Sequence, residues 1–205
     1  MSKIFNKQAN KFELPKLPYG YGKVAGISAD TDKFHHDKHF LSYITGLNDV
    51  DDKLGKMREA KDFAAIRAAM LGFSHNASGA YLHNIYYDIM GGDGKMDENL
   101  AVVKKIIADF GSAQTWQAEF KAVAMTGRGW AVLGLFLADN RLRHNLVDFH
   151  DQQVAWGMVP LVACDMWEHA YYYDNGPDKG KYIDAFLNGL NWRVIDGLYL
   201  RVANL

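Results

Sequence analysis

Gly91-Gly92-Asp93-Gly94 is the strongest backbone breaker in the chain, and the periodicity of the sequence changes across it. Before it, apolar residues fall at helical spacing. Between about Asp62 and Met90, the residues Phe63, Ile66, Ala69, Met70, Phe73, Tyr81, Ile85 and Ile89 recur at steps of three and four, with a Ser/Asn/Gly-rich interruption at 74–79. An earlier helix, capped by Ser28 or Asp30, carries His35, His39 and Tyr43 at successive i, i+4 steps on one face. Gly46 and the run Asp49-Val50-Asp51-Asp52 are expected to interrupt or end it. Residues 11–22, holding two of the four prolines, read as an extended lead-in. Apart from that lead-in, the half before the breaker reads as all helix.

After the breaker the pattern is mixed. Helices are expected at about 97–109 and 113–125, separated by Phe110-Gly111-Ser112. Residues 129–137 are β-like, Asp139-Asn140 is a turn signal, and 141–149 can pair back as a hairpin arm. Met158 to Asp165 is a short apolar run ending in a charge, which suits a third, buried strand. The tail from Asp178 reads as helix. The expected class is α+β: an N-terminal helical hairpin domain over 1–93, then a mixed domain over 94–205 with helices and a small three-stranded antiparallel sheet.

Composition narrows the function. Hydrophobic residues make up 49% of the 205, enough for a substantial core, and the formal net charge is −1. That balance argues against nucleic acid, whose binders present a basic face, and against an anionic membrane surface. Cys164 is the single cysteine, so no internal disulfide can form, and the chain fits a reducing compartment. The first ten residues hold no apolar signal segment, and no run of 18 apolar residues occurs, so the expected location is cytoplasmic.

The chemistry concentrates in Asp165-Met166-Trp167-Glu168-His169-Ala170-Tyr171-Tyr172. A carboxylate closing an apolar strand is costly to bury unless it is paired or metal-bound. His169 falls in the bend expected after that strand. Eight histidines are present: 35, 36, 39, 75, 83, 144, 150 and 169. His35 and His39 could chelate one metal between them or lie on an ordinary solvated helix face. His83, among aromatic neighbours, reads as a ligand or as a core histidine bonded to a backbone carbonyl. His144, in Arg-Leu-Arg-His-Asn, sits in an exposed hairpin and is not a ligand candidate. The zinc-peptidase, di-iron, haem-attachment and phosphate-loop patterns are absent. A mononuclear site of His and Asp ligands is left, a set that suits iron or manganese, with zinc a further option.

With these residues in place, the chain resembles the iron/manganese superoxide dismutases from Leu14 to about Arg201. The matching stretches are Asp165–Tyr172, Leu-Pro-Lys-Leu-Pro-Tyr19, His35-His-Asp-Lys-His39 with Tyr43, Leu82-His83 and Gly129-Trp130. The resemblance implies disproportionation of two superoxide anions to dioxygen and hydrogen peroxide at one metal ion per subunit, held by His35, His83, Asp165 and His169 with solvent as a fifth ligand. It implies that Tyr43, His150 and His39 stand around the metal and that Trp130 and Trp167 wall the site. It also implies a homodimer, or a tetramer built on it, in which Glu168 reaches the partner's His169 and Tyr172 meets the partner's His39. Lys38 and Lys179 are candidates for local positive charge that would draw in a small anion.

Departures from the family pattern bear on the metal. Gly79 stands where iron-type members carry glutamine, and His150 stands where manganese-type members carry one. Iron is the expected metal, with manganese or use of either as the alternative. Tyr87, Val132, His75 and Gly180 are further departures, and none removes a ligand. Two other readings compete: a non-catalytic metal-binding member of the same fold, and a zinc-dependent hydrolase, for which no free carboxylate is placed as general base.

Overall fold

The computed structural model describes residues 4–203. Two short strands, β1 (Phe5–Asn6) and β2 (Lys11–Phe12), pair antiparallel, so the N-terminal half is not wholly helical. Helix α1 (Ala29–Phe34) starts at Ser28, whose hydroxyl accepts the Thr31 N–H at 3.2 Å. It runs without a break through a π-helical turn, His35–Phe40, into α2 (Leu41–Ala60), which ends at Lys61 in the left-handed region. Such wide turns often mark functional positions on a helix, and this one carries His35 and His39.

Two expected breaks are not there. Helix α2 continues past Gly46 because that glycine meets α3: a Cβ at position 46 would collide with the Asn76 side chain. Asp49, Asp51 and Asp52 point to solvent while Val50 and Leu54 are buried, so the acidic run is one face of a continuing helix. Helix α3 (Ile66–Ile89) likewise runs straight through 74–79. The Asn76 amide donates to the Gly72 carbonyl at 2.7 Å, so this polar side chain folds back on its own helix.

The breaker region follows α3. The Gly92 N–H donates to the Gly189 carbonyl at 2.9 Å and the Gly94 N–H to the Leu190 carbonyl at 3.0 Å, fastening this segment to the far end of the chain. Helices α4 (Ala101–Phe110) and α5 (Ala113–Thr126, capped by Ser112) lead into strands β3 (Trp130–Phe136), β4 (Arg141–Val147) and β5 (Met158–Asp165). The sheet is antiparallel in the order β4-β3-β5. The chain closes with α6 (Glu168–Asn175), α7 (Lys179–Asn188) and α8 (Trp192–Val202). His169 therefore lies in the first turn of a helix and not in a bend, and the helical tail is broken at Gly189–Asn191.

One apolar core joins the halves. It runs from Phe40, Ile44 and Ile85 on the helices to Trp130, Leu133 and Val162 on the sheet. Helix α3 packs against β5, and the β3–β5 register sets Trp130 beside Asp165. That contact between α3 and β5 is where the histidines of one half meet the carboxylate of the other.

Candidate metal centre

Asp165 is fully buried at the end of β5, and three imidazoles point their Nε2 atoms at its Oδ2. His35 lies at 3.0 Å, His169 at 3.2 Å and His83 at 3.5 Å. The four donor atoms all fall within 4.8 Å of one another. Ligands at ~2.1 Å from a small ion and at right angles are about 3 Å apart, so the cluster has the dimensions of a coordination shell. His35 comes from the π-helical turn, His83 from α3, Asp165 from β5 and His169 from α6.

Each donor is held by something other than the cluster. The His83 Nδ1–H donates to the Gly79 carbonyl at 2.7 Å, which leaves Nε2 unprotonated and turned inward. That Nε2 is buried and has no hydrogen-bond partner, an arrangement that is costly unless a cation fills the space. Asp165 accepts the Trp167 backbone N–H on Oδ1 at 2.9 Å, leaving Oδ2 for the cluster. Burial pushes the His35 and His83 imidazoles below their ordinary range, so both are neutral, as ligands must be. Burial alone would raise the Asp165 carboxyl, but the adjacent His169 and His35 hold it well below the usual carboxylate range. These donors fit a transition-metal ion.

A second set of side chains surrounds the four. Trp130, fully buried, donates from Nε1 to His150 Nδ1 at 2.9 Å, and His150 Nε2 meets the Tyr43 hydroxyl at 2.7 Å. Because Nδ1 accepts, the proton of the neutral ring is on Nε2 and is donated to the Tyr43 oxygen. The Tyr43 O–H is then free to donate elsewhere. Burial lowers His150 to about 4 and raises Tyr43 to about 12, the latter with help from the Asp165 charge. Trp167 stacks on His150 with ring centroids 5.5 Å apart, and the Trp130 ring meets His83 edge-on at 5.0 Å.

The His35–His39 chelate is not formed. His39 stacks on His169 at 3.9 Å, outside the four-residue cluster, and burial followed by the neighbouring His169 and His35 lowers it to about 4. His36 clips the lead-in instead, meeting the Pro15 carbonyl at 3.0 Å and Asp37 at 2.8 Å. His144 is not exposed: its ring is covered by Phe110 and Phe120, with Glu119 at 3.0 Å. Lys179 is tied to the Gly127 carbonyl at 2.8 Å, while Lys38 is exposed. Glu168 is exposed, and Tyr172 is 53% exposed on the same turn of α6.

Sequence reasoning did not anticipate two features of this site: the π-helical turn and the Trp130–His150 hydrogen bond. The backbone carbonyl expected for a core histidine at position 83 is that of Gly79, at 2.7 Å from Nδ1.

The chain was compared with known proteins. Residues 11–91 match the profile of the α-hairpin domain of iron/manganese superoxide dismutases, and residues 98–197 match the profile of their C-terminal domain. Superoxide dismutase [Mn] 2 of Halobacterium salinarum is 40% identical over 197 residues, covering 96% of this chain and 98% of its own length. Superoxide dismutase [Mn] 1 of the same organism is 41% identical over 184 residues, covering 89% and 92%. Superoxide dismutase [Fe] of Aquifex pyrophilus is 33% identical over 179 residues, covering 84% of each chain.

Proposed function

The chain belongs to the iron/manganese superoxide dismutase family, and on that premise we propose that it disproportionates superoxide at one iron or manganese ion held by His35, His83, Asp165 and His169. The observation that carries this reading is the convergence of three imidazole Nε2 atoms on one buried carboxylate oxygen. Residues 1–93 and residues 94–205 form the two units of the subunit in this reading, and each supplies two of the ligands. Iron was the expectation from His150, whereas the relatives at about 40% identity carry manganese in their names.

An iron or manganese ion held by His35, His83, Asp165 and His169 would supply one-electron redox chemistry there, by which two superoxide anions and two protons would yield dioxygen and hydrogen peroxide. The chain's own task is to supply those protons and keep bulk water out. Trp130 fixes the tautomer of His150, His150 donates to Tyr43, and Tyr43 presents its O–H toward the site. Its phenol is pushed up to about 12, so it keeps its proton at neutral pH and can pass one on only as it receives another. Trp130, fully buried, and Trp167, partly buried, exclude solvent around the donors. Lys38 supplies exposed positive charge for capture of a small anion.

The same reading includes a homodimer. Exposed Glu168 and Tyr172 lie beside exposed Tyr173 and Phe34, whose rings meet at 6.1 Å, an outward aromatic face next to His169 and His39. A Glu168→Ala protein should dissociate at higher concentration than the parent in light scattering, and a monomeric parent would count against the dimer. Cytoplasmic location is proposed from the single thiol and is tested by fractionating source cells. Among the described residues no helix is long and apolar enough to cross a membrane.

The deciding experiment is to strip the metal, reload separate samples with iron and with manganese, and measure superoxide removal. Activity in one or both forms, well above that of the free ions, is expected. If neither exceeds the free ion, the chain is a non-catalytic metal binder.

A further inference from the structure

A cavity of about 180 Å³, lined in part by His150 and by none of the four ligands, lies between α3, the sheet and the loop joining β4 to β5. Its walls include Leu82, Val132, Val147, Met158 and Pro160, and His150 closes one side. No charged side chain lines it. Tyr81 and Val154 are its most exposed lining residues, which puts the mouth between them.

The roof is held in place. The loop carrying His150 is tied to α3 by the Ser74 hydroxyl, which donates to Asp151 Oδ2 at 2.7 Å. It is tied to β4 where the Asn145 amide donates to the Gln153 carbonyl at 3.2 Å, Gln153 itself being in the left-handed region. The floor is small for its position: Val132 is buried on the central strand, where a larger side chain would occupy the space. An enclosed apolar cavity of about 150 Å³ is enough to bind benzene or xenon; this one has a similar volume but opens to solvent at its mouth, and Ser78 and Asn145 join its apolar walls. Apolar walls favour an uncharged occupant, and no cation is present to hold superoxide or any other anion.

We propose that this cavity is a binding site for small uncharged apolar molecules of about benzene size, seated against His150. None of the four metal-site donors lines it. An occupant would touch the imidazole that takes the Trp130 hydrogen bond on one nitrogen and meets Tyr43 on the other, and would lie beside Leu82, the neighbour of His83. The inference concerns binding only, so it stands or falls independently of the metal and of turnover.

Benzene and xenon are the probes. The protein is used as isolated, with its metal, alongside Val132→Phe, which fills the cavity, and Val154→Asp, which places a charge at the mouth. At benzene ten times its dissociation constant, the melting temperature of the parent should rise by about 3–6 °C. That shift should vanish in Val132→Phe and be at least halved in Val154→Asp. Crystals under xenon should show one peak in contact with both Val132 and His150. No benzene shift in the parent, an equal shift in all three proteins, or xenon found only elsewhere would overturn the proposal. Should Val132→Phe fail to fold, Val154→Asp and the xenon position still decide it.

Discussion

Tyr43 lies so close over Gly79 that a Cβ at position 79 would come within 2.7 Å of its Cδ1. The glycine thus lets a phenol from α2 rest against the backbone of α3, within reach of His150. Gly79→Gln should push Tyr43 off His150, lengthen the 2.7 Å contact and cost about 1–3 kcal/mol in overpacking. Urea denaturation and turnover per bound metal measure the two effects. A variant with parental stability and turnover would show that the ring has room to move.

His83 presents one nitrogen to the Gly79 carbonyl and the other to the donor cluster. His83→Ala should lose its metal, and with it all superoxide removal above the free-ion background. Metal analysis after gel filtration checks this. One ion per chain retained in the variant would remove His83 from the ligand set.

Trp130→Phe deletes the N–H that His150 Nδ1 accepts, stranding a buried acceptor at a cost of about 1–3 kcal/mol. The proton of His150 is then free to sit on either nitrogen, and the supply to Tyr43 becomes intermittent. The maximal rate should drop at least several-fold, with metal content unchanged. A drop matched by equal loss of metal would mean that Trp130 acts through folding alone.

Asp32, 1% exposed, accepts the Gly22 N–H at 2.9 Å, yet burial, reinforced by Asp174, lifts its carboxyl to about 6. A carboxyl whose folded value exceeds its unfolded value of 3.8 costs stability as pH rises between the two, and the cost is complete above about 6. Asp32→Asn keeps an acceptor for Gly22 and never ionises. It should exceed the parent in stability by up to about 3 kcal/mol at pH 7, the gain disappearing near pH 4. Melting curves across that range check the sign, and a pH-independent difference would point to a cause other than ionisation.

The elements most legible in the sequence were those whose signal is local. Met158–Asp165 is an apolar run bounded by a glycine and a charge, and those bounds are the strand's bounds. Gly46 and the 74–79 stretch misled because a small or polar residue reads the same whether it ends a helix or lets another helix approach. His144 misled for a simpler reason: Arg141 and Arg143 face out, and strand alternation turns Leu142 and His144 inward. For His83 the sequence offered two readings, backbone-bonded or ligand-like, and the ring has one nitrogen placed for each. The cluster itself draws on positions from 35 to 169, so no spacing along the chain could assemble it. Only the ordered set of matching stretches pointed there.

The π-helical turn at His35–Phe40 makes residue count a constraint of its own. Each residue of an α-helix advances the chain by about 100° around the axis, and a π turn holds one residue beyond the regular number. The helix before the turn and the helix after it are therefore out of phase by that one step. Removing Lys38 alone would leave all four donors of the cluster in the chain, and would still rotate α2 so that Tyr43 faces away from His150. Along this stretch, substitutions act one side chain at a time, while a deletion acts on the whole face at once.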